Sequence, residues 1–267
     1  MSSTDKPKIV FMGTPDFAVE SAQALSDAGI QIVAVVTVPD KPAGRGRKVR
    51  QSPMKAWAET QNLPIFQPAD LREPDFITSL ESFDADVFVV VAFRILPREV
   101  FTIPPFGAIN LHGSLLPKFR GAAPINWALI SGEKETGVTT FVIDEKVDTG
   151  QVLLKSSTPI GENENFGELY GRLKKIGAAL LVESVEKYVK GELKPQTQEG
   201  IPTKAPKITP ELRRIDWNQP AEKVRNLVRG LSPVPCAFTT LDGKTLKIFF
   251  CDTSDKTDAD NCLLYTS

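Results

Sequence analysis

The chain has 267 residues, 41% of them hydrophobic and 24% charged, with a formal net charge of -1. That composition fits a globular protein able to bury a core. No apolar run nears the roughly 20 residues of a membrane-spanning helix, and the charge balance excludes wholesale coating of nucleic acid while leaving room for a local basic patch.

The N-terminal stretch "MSSTDKPKIVFMG" has an apolar run too short for a secretory signal and reads as a first strand, so a cytoplasmic location is expected. Apolar runs rich in Val, Ile and Phe recur as "KIVFMG", "IQIVAVVTV", "DVFVVVAF" and "GAINLH", and "DFAVESAQALSDAG" and "SPMKAWAETQN" fall between the early ones with helical period. This alternation predicts an α/β fold, a Rossmann-like, mostly parallel sheet with helices on its faces. Ligands in such sheets collect beyond the carboxyl ends of the strands, where "INLHGS" emerges. "GVTTFVIDEKVDTGQVLLKSS" reads as two strands around a charged turn, an antiparallel extension of the sheet. A helix over about Phe166 to Val189 then closes a first domain, residues 1–190.

Residues 191–209 are rich in Pro, Lys, Thr and Gln without periodicity and read as a linker crossing a surface. In the following domain, 210–261, "QPAEKVRNLVRGLS" predicts a short helix and "CAFTTLDGKTLKIFFCD" a hairpin around Asp-Gly. Too few residues follow to complete a closed barrel, so an incomplete small β-barrel of OB-like type is expected, with Phe249 and Phe250 exposed. The final "CLLYTS", Cys262 to Ser267, is what a widely used transposon sequencing adapter encodes in frame, and is expected to be foreign to the native chain.

The sole histidine, His112, stands two places after Asn110 at a strand end, so both side chains project to one face while Leu111 enters the core. His112 is either an incidental strand-end polar group or half of a reaction centre. An amide beside an imidazole suits acyl transfer: the amide stabilises the oxygen that gains charge, and the imidazole moves protons near neutral pH. A carboxylate to orient the ring comes from Asp144 or Asp148, with Asp148 favoured by the tight turn of "VDTG". "HGSLLP" lacks the Gly-x-Ser-x-Gly arrangement of a serine nucleophile. One histidine and three widely spaced cysteines, Cys236, Cys251 and Cys262, match no metal or disulfide pattern, and "MGTPDF" lacks the glycines of a dinucleotide fingerprint. A basic loop, "DKPAGRGRKVR", carries Lys41, Arg45, Arg47, Lys48 and Arg50 with no acid among them, as an arm tracking RNA phosphates would. Lys118 and Arg120 could neutralise a further anionic group beside the centre.

These residues together resemble the folate-dependent formyltransferases. "INLHGSLLPKFRGAAPINWALISGEKETGVTTFVIDEKVDTGQV" is similar to the signature region of that family, and the likeness extends over Lys8 to Cys251 through "FMGTPDFA", "PDKPAGRGRK" and "RIDW". It implies a catalytic Asn110, His112 and Asp148, 10-formyltetrahydrofolate as co-substrate, no metal, and folate contacts at Phe93, Arg94, Ile95, Leu96, Ser114, Leu115, Leu116 and Pro117. Among the family's branches the basic loop selects those acting on methionyl initiator tRNA, with Lys41, Arg45, Arg47, Lys48, Arg50, Lys118 and Arg120 as the RNA-binding set and the chain as a monomer. Formyl transfer to an amino sugar nucleotide, and a catalytically silent RNA-binding module, are the alternatives. In "VAFRILP", Val91 to Pro97, the chain is one residue shorter than the glycine-containing form of many relatives, where the family lines its folate pocket.

Overall fold

The computed structural model describes residues 6–43 and 48–253, with the side chains of 41–43 and 48–50 excepted. The first half of the chain runs β1 (Lys8–Gly13), α1 (Asp16–Asp27), β2 (Gln31–Val36), β3 (Lys41–Ala43), β4 (Lys48–Arg50), α2 (Pro53–Thr60), β5 (Ile65–Phe66), α3 (Pro74–Glu81), β6 (Val87–Val91), α4 (Arg98–Phe101) and β7 (Ala108–His112). The second half adds α5 (Pro124–Ile130), β8 (Glu135–Val142), β9 (Val152–Pro159), α6 (Phe166–Val189), α7 (Ala221–Leu231), β10 (Ala237–Leu241) and β11 (Lys244–Ile248).

Seven strands form one sheet in the order β5-β2-β1-β6-β7-β8-β9. The first five are parallel, and β8 and β9 join antiparallel, as the hairpin pattern predicts. Burial on both faces explains the unbroken apolar runs of β1 and β6. Ile9, Phe11, Val89 and Leu111 face a core built with α1, α2, α5 and α6, while Val10, Met12, Phe88 and Val90 face α3 and α4. From β1 the chain first extends the sheet to one side and then crosses to β6 on the other, so the strand order reverses at β1 and β6. The connections that leave the carboxyl ends there run to opposite sides and leave a crevice between them.

Two segments differ from expectation. The backbone of the basic loop pairs as a short antiparallel ribbon, Lys41 opposite Arg50 and Ala43 opposite Lys48. The linker crosses the surface but is pinned along it. Gln196 exchanges both backbone hydrogen bonds with Val152, Lys204 bridges Arg120, and Ala205 is fully buried in the main core. Composition misses this because the bonds are made by backbone groups, which every residue carries.

Beyond the linker, α7 packs on α5, where Gly230 permits close approach and its carbonyl accepts from Asn126 Nδ2 at 2.8 Å. A small core of Ile215, Val224, Val228, Leu231, Ala237 and Ile248 joins α7 to the two-stranded β10-β11 sheet. Asp242 and Gly243 both take positive φ, 49° and 73°, the backbone that an Asp-Gly hairpin turn requires. Phe249 and Phe250 are 52% and 69% exposed. Among the described residues no helix is long and apolar enough to cross a membrane. The adapter-like Cys262 to Ser267 lie outside the described residues.

Candidate active site

Strand β7 sits between β6 and β8, with Asn110 opposite Val90 on one side and Phe141 on the other. Period-two alternation sends Leu111 into the core and brings Asn110 and His112 to the wall of a cleft of about 570 Å³. Asp148, from the turn joining β8 to β9, lines the same cleft. The amide of Asn110 has no hydrogen-bond partner among the described residues, so its donors are uncommitted.

The His112 ring is 6% exposed, and its Nε2 lies 2.9 Å from the carbonyl oxygen of Phe119. A carbonyl can only accept, so Nε2 carries the hydrogen and the neutral ring presents a lone pair at Nδ1. Nδ1 faces Asp148 Oδ2 at 3.9 Å, beyond hydrogen-bonding range but close enough to interact as charges when the ring is protonated. The sequence points to Asp148 as the group that orients the ring; in the structure a backbone carbonyl does this, and the carboxylate stands by the other ring nitrogen.

Asp148 is held by accepting the Gly121 N–H at Oδ2, 2.7 Å. Its own backbone has φ of 56°, a conformation that L-residues rarely adopt and that neighbouring bonds must maintain. Two glycines make room here, Gly150 for this turn and Gly121 for the segment packed on its loop. A Cβ on Gly150 would lie 1.8 Å from the Val142 carbonyl, and one on Gly121, at φ of 126°, would lie 2.6 Å from that of Ala205. Asp144 serves the turn instead of the ring: its carboxylate accepts from the Lys146 N–H and from the Thr149 hydroxyl.

Of the expected folate contacts, Phe93, Arg94, Ile95 and Leu96 line the cleft. Arg94 donates to the carbonyls of Pro68 and Ala69 and stacks over the Phe93 ring at 5.2 Å, and burial lowers its pKa from the ordinary arginine value against the opposing pull of Asp70 and Glu73. Ser114, Leu115, Leu116 and Pro117 do not line it. Ser114 is fully buried and donates to the Lys118 carbonyl, Leu116 is buried, and the Leu116 carbonyl accepts from Lys155, so this stretch braces the loop beneath the centre. Lys118 pairs with Glu133 and Arg120 with the Gln198 amide, both outside the cleft lining. Arg45 and Arg47 lie outside the described residues, as do the side chains of Lys41, Lys48 and Arg50.

One part of the cleft lining was not legible in the sequence. Phe17, Phe166 and Tyr170 meet there, with ring centroids 5.4 and 5.5 Å from Tyr170. Tyr170 donates to Asp16 Oδ1 at 2.7 Å, and burial, reinforced by that carboxylate, pushes its pKa well above the usual tyrosine value. Aromatics at the starts of two distant helices give no local signal.

The site can be set beside known proteins. The formyl transferase family model matches residues 7–185, and that of the formyl transferase C-terminal domain matches residues 207–261. A methionyl-tRNA formyltransferase of Porphyromonas gingivalis is 50% identical over 239 residues, 88% of this chain and 74% of that one; one of Bacteroides fragilis is 47% identical over the same shares. The chain thus spans about three quarters of the length of these relatives. An N-formyltransferase from Helicobacter canadensis, solved with folinic acid and dTDP-3-aminofucose, superposes with a TM-score of 0.71 at 18% identity, over 98% of this chain and 93% of that one, a likeness of fold. With its sheet, its cleft at the strand ends and both halves matched, the chain belongs to the formyl transferase family.

Proposed function

We propose that this chain transfers the formyl group of 10-formyltetrahydrofolate to the α-amine of methionine esterified to initiator tRNA. The observation that carries the reading is one cleft lined by Asn110, His112 and Asp148, in a chain about half identical to methionyl-tRNA formyltransferases. The cleft suits a folate. Its volume lies in the range of small-molecule sites, Phe93, Leu96, Phe141 and Ile143 offer apolar walls to a flat heteroaromatic ring, and Asn110, His112 and Asp148 add polar groups to the lining.

The bound folate supplies an activated formyl carbon. Asn110 donates to the formyl oxygen as it gains charge. His112, held as the Nε2–H tautomer by Phe119, receives at Nδ1 the proton that the attacking amine loses, and can return it to the departing nitrogen. Asp148 stabilises the imidazolium between these steps. The nucleophile is the substrate amine, so no covalent link to the protein is needed. Phe93 to Leu96 position the folate. Lys41, Arg45, Arg47, Lys48 and Arg50, on the ribbon and the segment between its strands, follow the phosphates of the RNA, with Lys118 and Arg120 nearer the centre.

The test supplies labelled 10-formyltetrahydrofolate with methionyl initiator tRNA, uncharged tRNA or an amino sugar nucleotide. Label is expected on the charged tRNA alone; label on the sugar, or on none of them, overturns the reading.

A further inference from the structure

We propose that Gln198 and Thr203, in the segment between α6 and α7, are positioning residues for formyl transfer, a claim that rests on the assignment of Asn110, His112 and Asp148 above. Two backbone groups hold that centre, the Phe119 carbonyl on His112 and the Gly121 N–H on Asp148, and both belong to the loop 117–123. What fixes these groups is whatever binds the loop from its other side.

Thr203 binds it there. Its hydroxyl accepts the Phe119 N–H at 2.8 Å, and its backbone carbonyl accepts the Arg120 N–H at 2.9 Å. Two residues on, the Ala205 N–H donates to the Arg120 carbonyl at 2.7 Å. Phe119, at φ of 59°, is another residue whose backbone must be held by its neighbours.

Gln198 ties this loop to the turn that carries Asp148. Its Nε2 donates to the carbonyls of Asp148 and Gly150, both at 2.9 Å, and its Oε1 accepts from Arg120 Nη2 at 2.6 Å. The partners assign the amide orientation, because the flipped form would set two carbonyls against an acceptor and a guanidinium against a donor. The Gln198 amide therefore spans the same two segments that the bond from Gly121 to Asp148 joins. Glutamate could keep Arg120 but would lose both donations.

The roles separate in kinetics. A residue that only adds adhesion lowers stability, and one that grips tRNA raises KM. One that sets the reacting geometry lowers kcat, since misplacement by about 1 Å can cost as much as 10²-fold.

The experiment measures formylation by the full chain at varied 10-formyltetrahydrofolate and methionyl-tRNA for Thr203→Val, Thr203→Ser, Gln198→Glu and Gln198→Met. Rates are expressed per folded molecule by near-ultraviolet circular dichroism. Thr203→Val, Gln198→Glu and Gln198→Met are each expected to lower kcat about tenfold or more with both KM values changed by less than about threefold, and Thr203→Ser to recover most of the rate. Unchanged kcat in these three variants, a loss confined to KM, or failure of Thr203→Ser to recover what Thr203→Val loses overturns the proposal. Asn110→Ala, measured alongside, separates the two claims: normal turnover there removes the catalytic assignment itself, whereas lost turnover there with intact strap variants removes only the positioning role.

Discussion

At Asn110 the side-chain amide meets no described partner, so truncating it leaves no buried group unsatisfied. Asn110→Ala is therefore expected to lower kcat by roughly 10²–10³-fold while thermal unfolding, followed by circular dichroism, stays close to that of the parent. Tyr170 makes a prediction in pH. Burial and the bond to Asp16 raise its folded pKa above the free value of about 10, so the folded state retains a proton that the unfolded chain releases. The resulting stabilisation is complete below the unfolded pKa and is lost as pH rises toward the folded one. Absorbance titration at 295 nm should show Tyr170, and Tyr188, raised by burial alone, ionising late, and Tyr170→Phe should flatten the alkaline fall in melting temperature. At this scale the sequence pointed to Asn110, His112 and Asp148, which the structure places on one cleft, because strand alternation and a tight turn are local. It did not identify the tautomer of His112, which depends on a carbonyl seven residues along whose direction is set by tertiary bonds.

Among the elements, α6 shows how a short signature sets a boundary. Asn165 accepts the Glu168 N–H at 3.1 Å while Glu168 accepts the Asn165 N–H at 2.9 Å, a reciprocal cap that starts the 24-residue helix. Asn165→Ala should cost about 1 kcal/mol in urea unfolding. The β8-β9 hairpin depends on Gly150, where an added Cβ would collide with the Val142 carbonyl. Gly150→Ala must push the strands apart and move Asp148 with them; it is expected to destabilise by at least about 1 kcal/mol and to lower kcat as well. Long apolar strands and α6 were legible from pattern alone. The helices α3 and α5 were not: each spans about two turns, starts at a proline and has no side-chain cap, so its periodicity is brief and its boundary signal weak.

For the whole molecule, charge and apolar exposure give separate predictions. If the basic segment follows RNA phosphates, Arg45→Ala should reduce the slope of log K against log salt for tRNA binding by about one contact, measured by filter retention or fluorescence; an unchanged slope removes Arg45 from the RNA path. Phe249 and Phe250 stand exposed just after β11, the second strand of a two-stranded sheet, and light scattering should show less self-association for the Phe249→Ser, Phe250→Ser double variant. The sequence by itself determined the α/β alternation, the antiparallel extension and the strand end that carries the polar pair, because these follow from side-chain periodicity and turn chemistry within a few residues. Only the tertiary structure decided that Ser114 to Pro117 brace the loop instead of lining the cleft, that Phe17, Phe166 and Tyr170 meet in its lining, and that the linker is strapped down by Thr203 onto Phe119, 84 residues away. Those arrangements depend on backbone groups and on registers between distant segments, and no residue pattern along the chain encodes them until the sheet has formed.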